Sequence, residues 1–346
     1  MPVCFLNNQL RYAGLITAHW EAANLRSTNL FRYMTSRVAK LLHPAWRIVL
    51  SVILCSLTNI TTAEIKTSIL VPDASGAAKI IYDEVINSVG SHSELDISII
   101  RLNAKTTAAD ISDQVKSNGS ELVISIGNKG YKLVKAQNLD LVVVAGGISG
   151  KPNGIPTLSL TGDPEPTLRE LKTLAPHIKN LRLVYHEETN GWWYHRAKTI
   201  GQQFGIEVIG YEAKDLKTGV KLYEQLLKEA KPKETAVWIP LRSIVPSKTI
   251  LPLLLEQAWK KKLSVISNNP SHTKLGSLIA LYPDHGKMGS QLAEFALAHY
   301  YDNDARKIVG TTSLRIALNS RTSSHIGLRL STKDFERFDK IFPLQR

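Results

Sequence analysis

The chain has 346 residues, enough for two packed lobes near the common domain size of about 100 to 150 residues. Its 43% hydrophobic and 21% charged residues are ordinary globular composition, which excludes a disordered chain and a polytopic membrane protein. The formal charge is +13, but residues 1–63 hold six Lys/Arg against one acid, and the remaining +8 is spread over helix faces, so no nucleic-acid partner is expected.

At the start, Arg37, Lys40 and Arg47 flank or precede an apolar run, Ile48 to Ile60, that is short for a bilayer span; Thr61-Thr62-Ala63 supplies small residues for a cut. Residues 34–63 therefore read as a secretory signal, with a membrane anchor as the rival reading. Residues 1–33 carry no targeting pattern, so translation is expected to start at Met34 and the mature chain at Glu64. Leu54 before Cys55 argues against lipid modification. Both cysteines, Cys4 and Cys55, precede residue 63, leaving a mature chain without thiols, which suits an oxidising compartment and removes thiol catalysis and cysteine metal sites.

From Ile65 the chain alternates two periods. Runs rich in Ile, Leu and Val predict strands at 65–71, 95–101, 121–126 and 139–145, and helical spacing appears between them, as in Ala77/Ile80/Ile81/Val85 and Ile111/Val115. Near-continuous apolar strands separated by helices predict a parallel sheet covered on both faces. Lys151 to Pro156 is the clearest composition break, and Asp163-Pro164 is a helix-start signature, so the first crossing between lobes is expected there. The alternation then repeats, with strands at 181–186, 206–211, 235–239 and 263–267 and helical stripes at Trp193/Ala197/Ile200/Phe204, Val220/Tyr223/Leu227 and Leu254/Leu255/Ala258. A last strand at 277–282 feeds a turn at Tyr282-Pro283-Asp284-His285-Gly286 and a helix carrying Met288, Leu292, Phe295 and His299. The expected fold class is α/β: two doubly wound parallel-sheet lobes joined by several crossings, 64–160 with 277–308 and 161–276 with 309–346.

Ligands of such folds sit where strand ends feed helix starts. In the first lobe these turns are small and polar: Asp73-Ala74-Ser75-Gly76, Gly127-Asn128 and Gly146-Gly147. Backbone N–H groups at helix starts, with Ser75 and Asn128 beside them, suit an anion; tight turns needing glycine are the bland reading. In the second lobe the turns offer Glu187, Asn190 and Trp192, then Arg242, then Asn269, while Asp284 stands in the last turn. Trp193 lies on the apolar stripe and reads as core; Trp192 lies off it and reads as a ligand wall or loop packing. Arg242 suits a carboxylate, with a surface ion pair as the alternative. The candidate ligand-binding residues are Ser75, Gly76, Asn128, Gly147, Glu187, Asn190, Trp192, Arg242, Asn269 and Asp284.

Enzyme signatures are incomplete. His186-Glu187 begins like H-E-x-x-H, but Asn190 replaces the second histidine; there is no G-x-S-x-G and no phosphate-binding G-x-x-x-x-G-K-[ST]. No catalytic residue, metal or cofactor is expected.

Several segments resemble the periplasmic substrate-binding proteins of one ABC-transporter family, the group with tryptophan- and tyrosine-binding members and a type 1 periplasmic-binding-protein fold. Gly276, Tyr282, Asp284 and Gly289 follow its late strand-turn-helix. Ile148-Ser149-Gly150, Leu158 to Leu160, Asp163-Pro164, Leu168/Leu171/Leu174, Pro176 and Leu181 to Tyr185 follow its middle. Leu318-Asn319, Thr322 and Ile326-Gly327-Leu328 follow its ending, so the likeness spans most of 145–330. Two turns depart from the pattern: Pro72-Asp73-Ala74-Ser75 stands where a His-Pro pair is usual, and Gly127-Asn128 where Gly-Thr is usual. The resemblance implies a monomeric periplasmic solute-binding protein, closing by hinge motion on a small-molecule ligand, with an inner-membrane ABC permease as partner. The expected ligand carries a carboxylate and an apolar or aromatic part, an amino acid first. A sensory module for a receptor kinase is the alternative, and a periplasmic enzyme a weaker one.

Overall fold

The computed structural model describes residues 64–137, 139–150, 154–302 and 307–343. The expected signal, start site and cleavage point lie outside these, as do Lys151, Pro152 and Asn153 of the composition break.

The first sheet is built from the alternation that the sequence announces. β1 (Ile65–Pro72), α1 (Gly76–Val89), β2 (Leu95–Leu102), α2 (Ala108–Ser117), β3 (Leu122–Ile126), α3 (Gly127–Gln137), β4 (Val142–Ile148) and β5 (Thr157–Gly162) follow in order. All five residues of β3 are buried, as a strand covered on both faces requires. Side chains alternate across the pleat: Ile69 and Val71 of β1 join Leu122, Ile124 and Ile126 in one core, while Leu70 joins Val123 in the other.

Past β5 the chain enters α4 (Pro164–Leu174), started by Asp163, whose Oδ1 accepts the Glu165 N–H at 3.0 Å. Then come β6 (Asn180–Tyr185), a π-helical turn (Glu187–Gly191), α5 (Trp192–Gln203), β7 (Glu207–Glu212), α6 (Leu216–Glu229), β8 (Thr235–Ile239), α7 (Ser247–Lys261), β9 (Ser264–Ser267), α8 (Pro270–Leu275) and β10 (Ile279–Pro283). The final part is α9 (His285–Asp302), β11 (Ile308–Thr311), β12 (Leu314–Asn319), α10 (Ser320–His325), α11 (Thr332–Phe335) and β13 (Lys340–Phe342).

The strand orders are β11-β5-β4-β3-β1-β2 and β13-β12-β10-β9-β8-β6-β7. Within each, the first five strands repeat one pattern, second-first-third-fourth-fifth, and among the described residues only the β10–β12 pairing is antiparallel. This is the flavodoxin-like doubly wound order, whose direction reverses between the first and third strands. The two-lobed α/β fold class is therefore as the sequence reading has it.

The crossings lie later than expected. β5 runs to Gly162, so the first crossing is at Asp163. β10 pairs with β9 and β12, which keeps it in the second sheet instead of opening a return at Ser277; the chain returns only at Asp284, into α9, whose Met288, Leu292 and Phe295 join the first-lobe core. β11 still pairs with β5 in the first sheet, so the third crossing falls between Thr311 and Leu314 instead of at 308/309.

Candidate functional site

The reversal points put β1/β3 of the first lobe and β6/β8 of the second at the places where doubly wound sheets bind ligands. After β1, Ser75 takes the extended N-cap backbone of α1 (φ −127°, ψ 168°), but its hydroxyl makes no capping hydrogen bond. Thr107, Asp163, Asp215, Asn269, Asn319 and Ser331 all do accept at their own helix starts. Ser75 and Gly76 are exposed, and α3 opens directly at Gly127 with Asn128 exposed beside it. These residues present a free hydroxyl, an amide and helix-start N–H groups to solvent at one sheet end.

Below them is a cavity of about 210 Å³ between α1 and α9. Ala78, Ile81, Tyr82 and Val85 form one wall, Ile126, Gly147 and Leu160 the floor, and His285 with Met288 the other wall. Of the expected residues only Gly147 lines it. His285 is half-buried, and burial pushes its pKa down, against the opposing pull of Glu84. It thus faces an apolar cavity with its neutral form favoured over the charged one. His285 was missed in the sequence because one histidine among ten in a turn carries no spacing signal, and Ile81 and Val85 because they read as an ordinary helix stripe.

On the second lobe, Asn190 ties two turns together. Its Oδ1 accepts the His186 N–H at 2.8 Å and its Nδ2 donates to the Arg242 carbonyl at 3.1 Å, with the residue 4% exposed. The turn after β6 thereby fixes the turn after β8. Arg242 is itself exposed, and its Nε donates to Ser149 Oγ at 3.0 Å. Ser149 follows β4, so this bond runs from one lobe to the other. Among the described residues Arg242 has no carboxylate partner, so the surface ion pair weighed for it is not formed.

The other expected residues have internal commitments. Asp284 faces Arg315, with Nε to Oδ2 at 3.2 Å; burial acts to raise its pKa, but Arg315 and the Lys287 N–H outweigh it and hold the carboxyl below its ordinary value. Asn269 caps α8 by accepting the Ser271 N–H at 2.9 Å. Glu187 contacts His195 Nε2 at 3.1 Å. Trp192 is half-buried against the second-lobe core, which favours packing over a free ligand wall. Trp193 is fully buried, edge-on to Trp238 at 4.3 Å, and its Nε1 donates to the Gly162 carbonyl at 2.8 Å. At the end of β9, Asn268 is 4% exposed; its Oδ1 accepts from Trp238 Nε1 at 3.0 Å, and its Nδ2 has no protein partner.

Among the described residues no group of three or more His, Cys, Asp or Glu is placed to hold a metal ion, and no helix is long and apolar enough to cross a membrane.

No protein-family model matches the chain, and no curated protein matches it. Solved structures do. The ligand-free, open form of a substrate-binding protein with adhesive properties from Clostridium difficile is 15% identical, with 80% of this chain and 98% of that chain covered and a TM-score of 0.54. An ABC domain in complex with L-Trp from Streptococcus pneumonia is 14% identical over 80% of this chain and 100% of that one, with a TM-score of 0.47. A solute-binding protein of an ABC transporter from Burkholderia graminis, in complex with D-arabinose, is 14% identical over 74% and 95%, with a TM-score of 0.39. The likeness to the Clostridium difficile protein shows the fold, the two-lobed type 1 periplasmic-binding arrangement.

Proposed function

We propose that this chain is a periplasmic solute-binding protein of an ABC transporter, taking a small carboxylate-bearing ligand with an apolar part, an amino acid first, between its lobes. The observation that carries the reading is Arg242: an exposed guanidinium without a carboxylate partner among the described residues, held at the cleft through Ser149. A ligand carboxylate is the natural counter-charge for such a group, because charge-assisted bonds to guanidinium are the strong ones. The free Ser75 hydroxyl and the N–H groups at the α1 and α3 starts add donors. The cavity of about 210 Å³ takes the apolar part, with neutral His285 as a polar contact at its wall. The closed form then meets an inner-membrane permease.

A thermal-shift screen with amino acids, short peptides, nucleosides and sugars tests this. A ligand at ~100 times its dissociation constant raises stability by about 2.7 kcal/mol, and Arg242→Gln is expected to weaken binding by about tenfold or more, with ligand-free stability lowered by no more than the about 1 kcal/mol of its bond to Ser149. A transition shifted only by sugars or nucleosides overturns the amino-acid assignment; an Arg242→Gln variant with unaltered affinity removes the role of the guanidinium.

A further inference from the structure

The pole of the second sheet opposite the cleft carries another concave site. α7 ends there just before β9 begins, α8 ends just before β10, and β12 arrives antiparallel, with Leu318 beside Ile279. Between them lies a groove of about 370 Å³, within the range of about 300–1,000 Å³ typical of small-molecule sites. Its apolar surface is unusually open: Trp259 is 40% exposed and Leu275 64% exposed, and Leu255 adjoins them.

The groove is also one-signed. Lys274 and Arg321 line it, both exposed, and among the described residues no aspartate or glutamate does. The ion pairs of this lobe, including Lys179–Glu234, Arg182–Glu229 and the nearby Lys260–Glu256, leave both cations out. The neutral polar groups are already engaged: Asn319 accepts the Thr322 N–H and donates to the Thr273 carbonyl, and Thr322 Oγ1 donates to the Gly276 carbonyl. The aromatic wall is fixed in place. His325 stacks on Trp259 with centroids 3.5 Å apart and planes within 4°, and its Nε2 donates to the Trp259 carbonyl at 2.9 Å, while the Arg321 guanidinium carbon lies 5.8 Å from the indole centre.

We infer that this groove binds an amphiphilic organic anion, a single phosphate or carboxylate held between Lys274 and Arg321 with its apolar chain against Trp259, Leu255 and Leu275. Two cations without counter-charges among the described residues set the sign of the ligand, and the exposed indole and leucine set its apolar half. The site stands apart from the cleft, so it does not depend on what the cleft binds.

The test is calorimetric titration of the full chain with monomeric octyl phosphate, against octanol, octylammonium and inorganic phosphate. One saturable site for octyl phosphate is expected, about tenfold weaker or more in the Lys274→Gln/Arg321→Gln double variant, the loss of one good charge-assisted contact being about that large. The Arg242→Gln variant should keep it, which separates this groove from the cleft. Octanol or octylammonium binding as tightly as octyl phosphate overturns the inference. So does unchanged affinity in the double variant, or loss of binding in Arg242→Gln. Co-sedimentation with phosphatidylglycerol vesicles, sensitive to the double variant, assigns the anion to a lipid headgroup; octyl phosphate binding without it assigns a free amphiphile.

Discussion

Glu229 shows at the residue scale how hydrogen bonds set a charge. Tyr211 Oη donates to its Oε2 at 2.6 Å and Gln225 Nε2 to its Oε1 at 2.8 Å, with the Arg182 guanidinium on the same carboxylate. These three donors, Tyr211 first, pull its pKa from 4.5 down to about 2. Tyr211 moves the other way, to about 12, first through burial and then through its bond to Glu229. A pKa depressed on folding means that the unfolded chain binds the proton more readily, so the stability is complete above 4.5 and is lost as pH falls toward 2. Glu229→Gln is therefore expected to melt below the wild type at neutral pH, with the gap closing between pH 4.5 and about 2. The carboxylate is exposed, so added salt should narrow the gap as well. Melting curves over a pH series check this, and a gap that stays constant to pH 2 counts against it. The same kind of bookkeeping explains what was legible of the site. Turn chemistry located Asn190, Asn269 and Asp284 at strand ends, but sequence could not show that His186, Ser271 and Arg315 would claim their side chains first.

At the scale of elements, α9 is the piece that converts a second-lobe strand into a first-lobe wall. It lands on α1 at Gly289, where an added Cβ would stand 2.5 Å from the Val85 carbonyl oxygen and 2.7 Å from Ser88 Cβ. Beside this contact Ser88 Oγ and Ser290 Oγ are 2.7 Å apart. Gly289→Ala must push the two helices apart, at a cost of about 1–3 kcal/mol. Because the same helices wall the cavity, ligand affinity should fall with stability. Denaturant unfolding reads the first effect and titration the second; an alanine variant as stable as the wild type would show that the helices separate freely. Strands were well marked in the sequence wherever the apolar run was unbroken, as in Thr235–Ile239. The sequence ends β4 at Ala145 because Gly146-Gly147 looks like a turn, whereas Leu292 of α9 packs over Gly146 and the strand continues to Ile148. The sequence suggests a return at Ser277 for a related reason. Gly276 punctuates the sequence, yet it only ends α8, and no local period says which sheet the next strand will join.

In the whole molecule, the three crossings are joined to one another. The Asp163 N–H donates to the Thr311 carbonyl at 2.8 Å, linking the first to the third, and the Asp284 N–H donates to the Ser313 carbonyl at 3.0 Å, linking the second to the third. The Asp284–Arg315 ion pair reinforces that second link. On the second-lobe side, α5 grips the first crossing through Trp193 to Gly162 and Arg196 to Asp163. Three strands tied this way should bend as one ribbon, so relative motion of the lobes becomes a hinge rotation that opens or closes the cleft. In the proposed hinge motion the Arg242–Ser149 bond at the cleft must break on opening, which would make it part of the balance between open and closed forms. Small-angle scattering is expected to show a smaller radius of gyration with saturating ligand. Ser149→Ala removes the acceptor of that lobe-to-lobe bond, worth about 1 kcal/mol or a factor of about five in the open–closed equilibrium. The ligand-free variant should then scatter as a slightly larger particle than the ligand-free wild type and converge with it once ligand is bound. A tight ligand that leaves the scattering of both proteins unaltered would sink the hinge reading, while a shape change in the wild type with no effect of Ser149→Ala would leave the hinge in place and remove this bond from its balance.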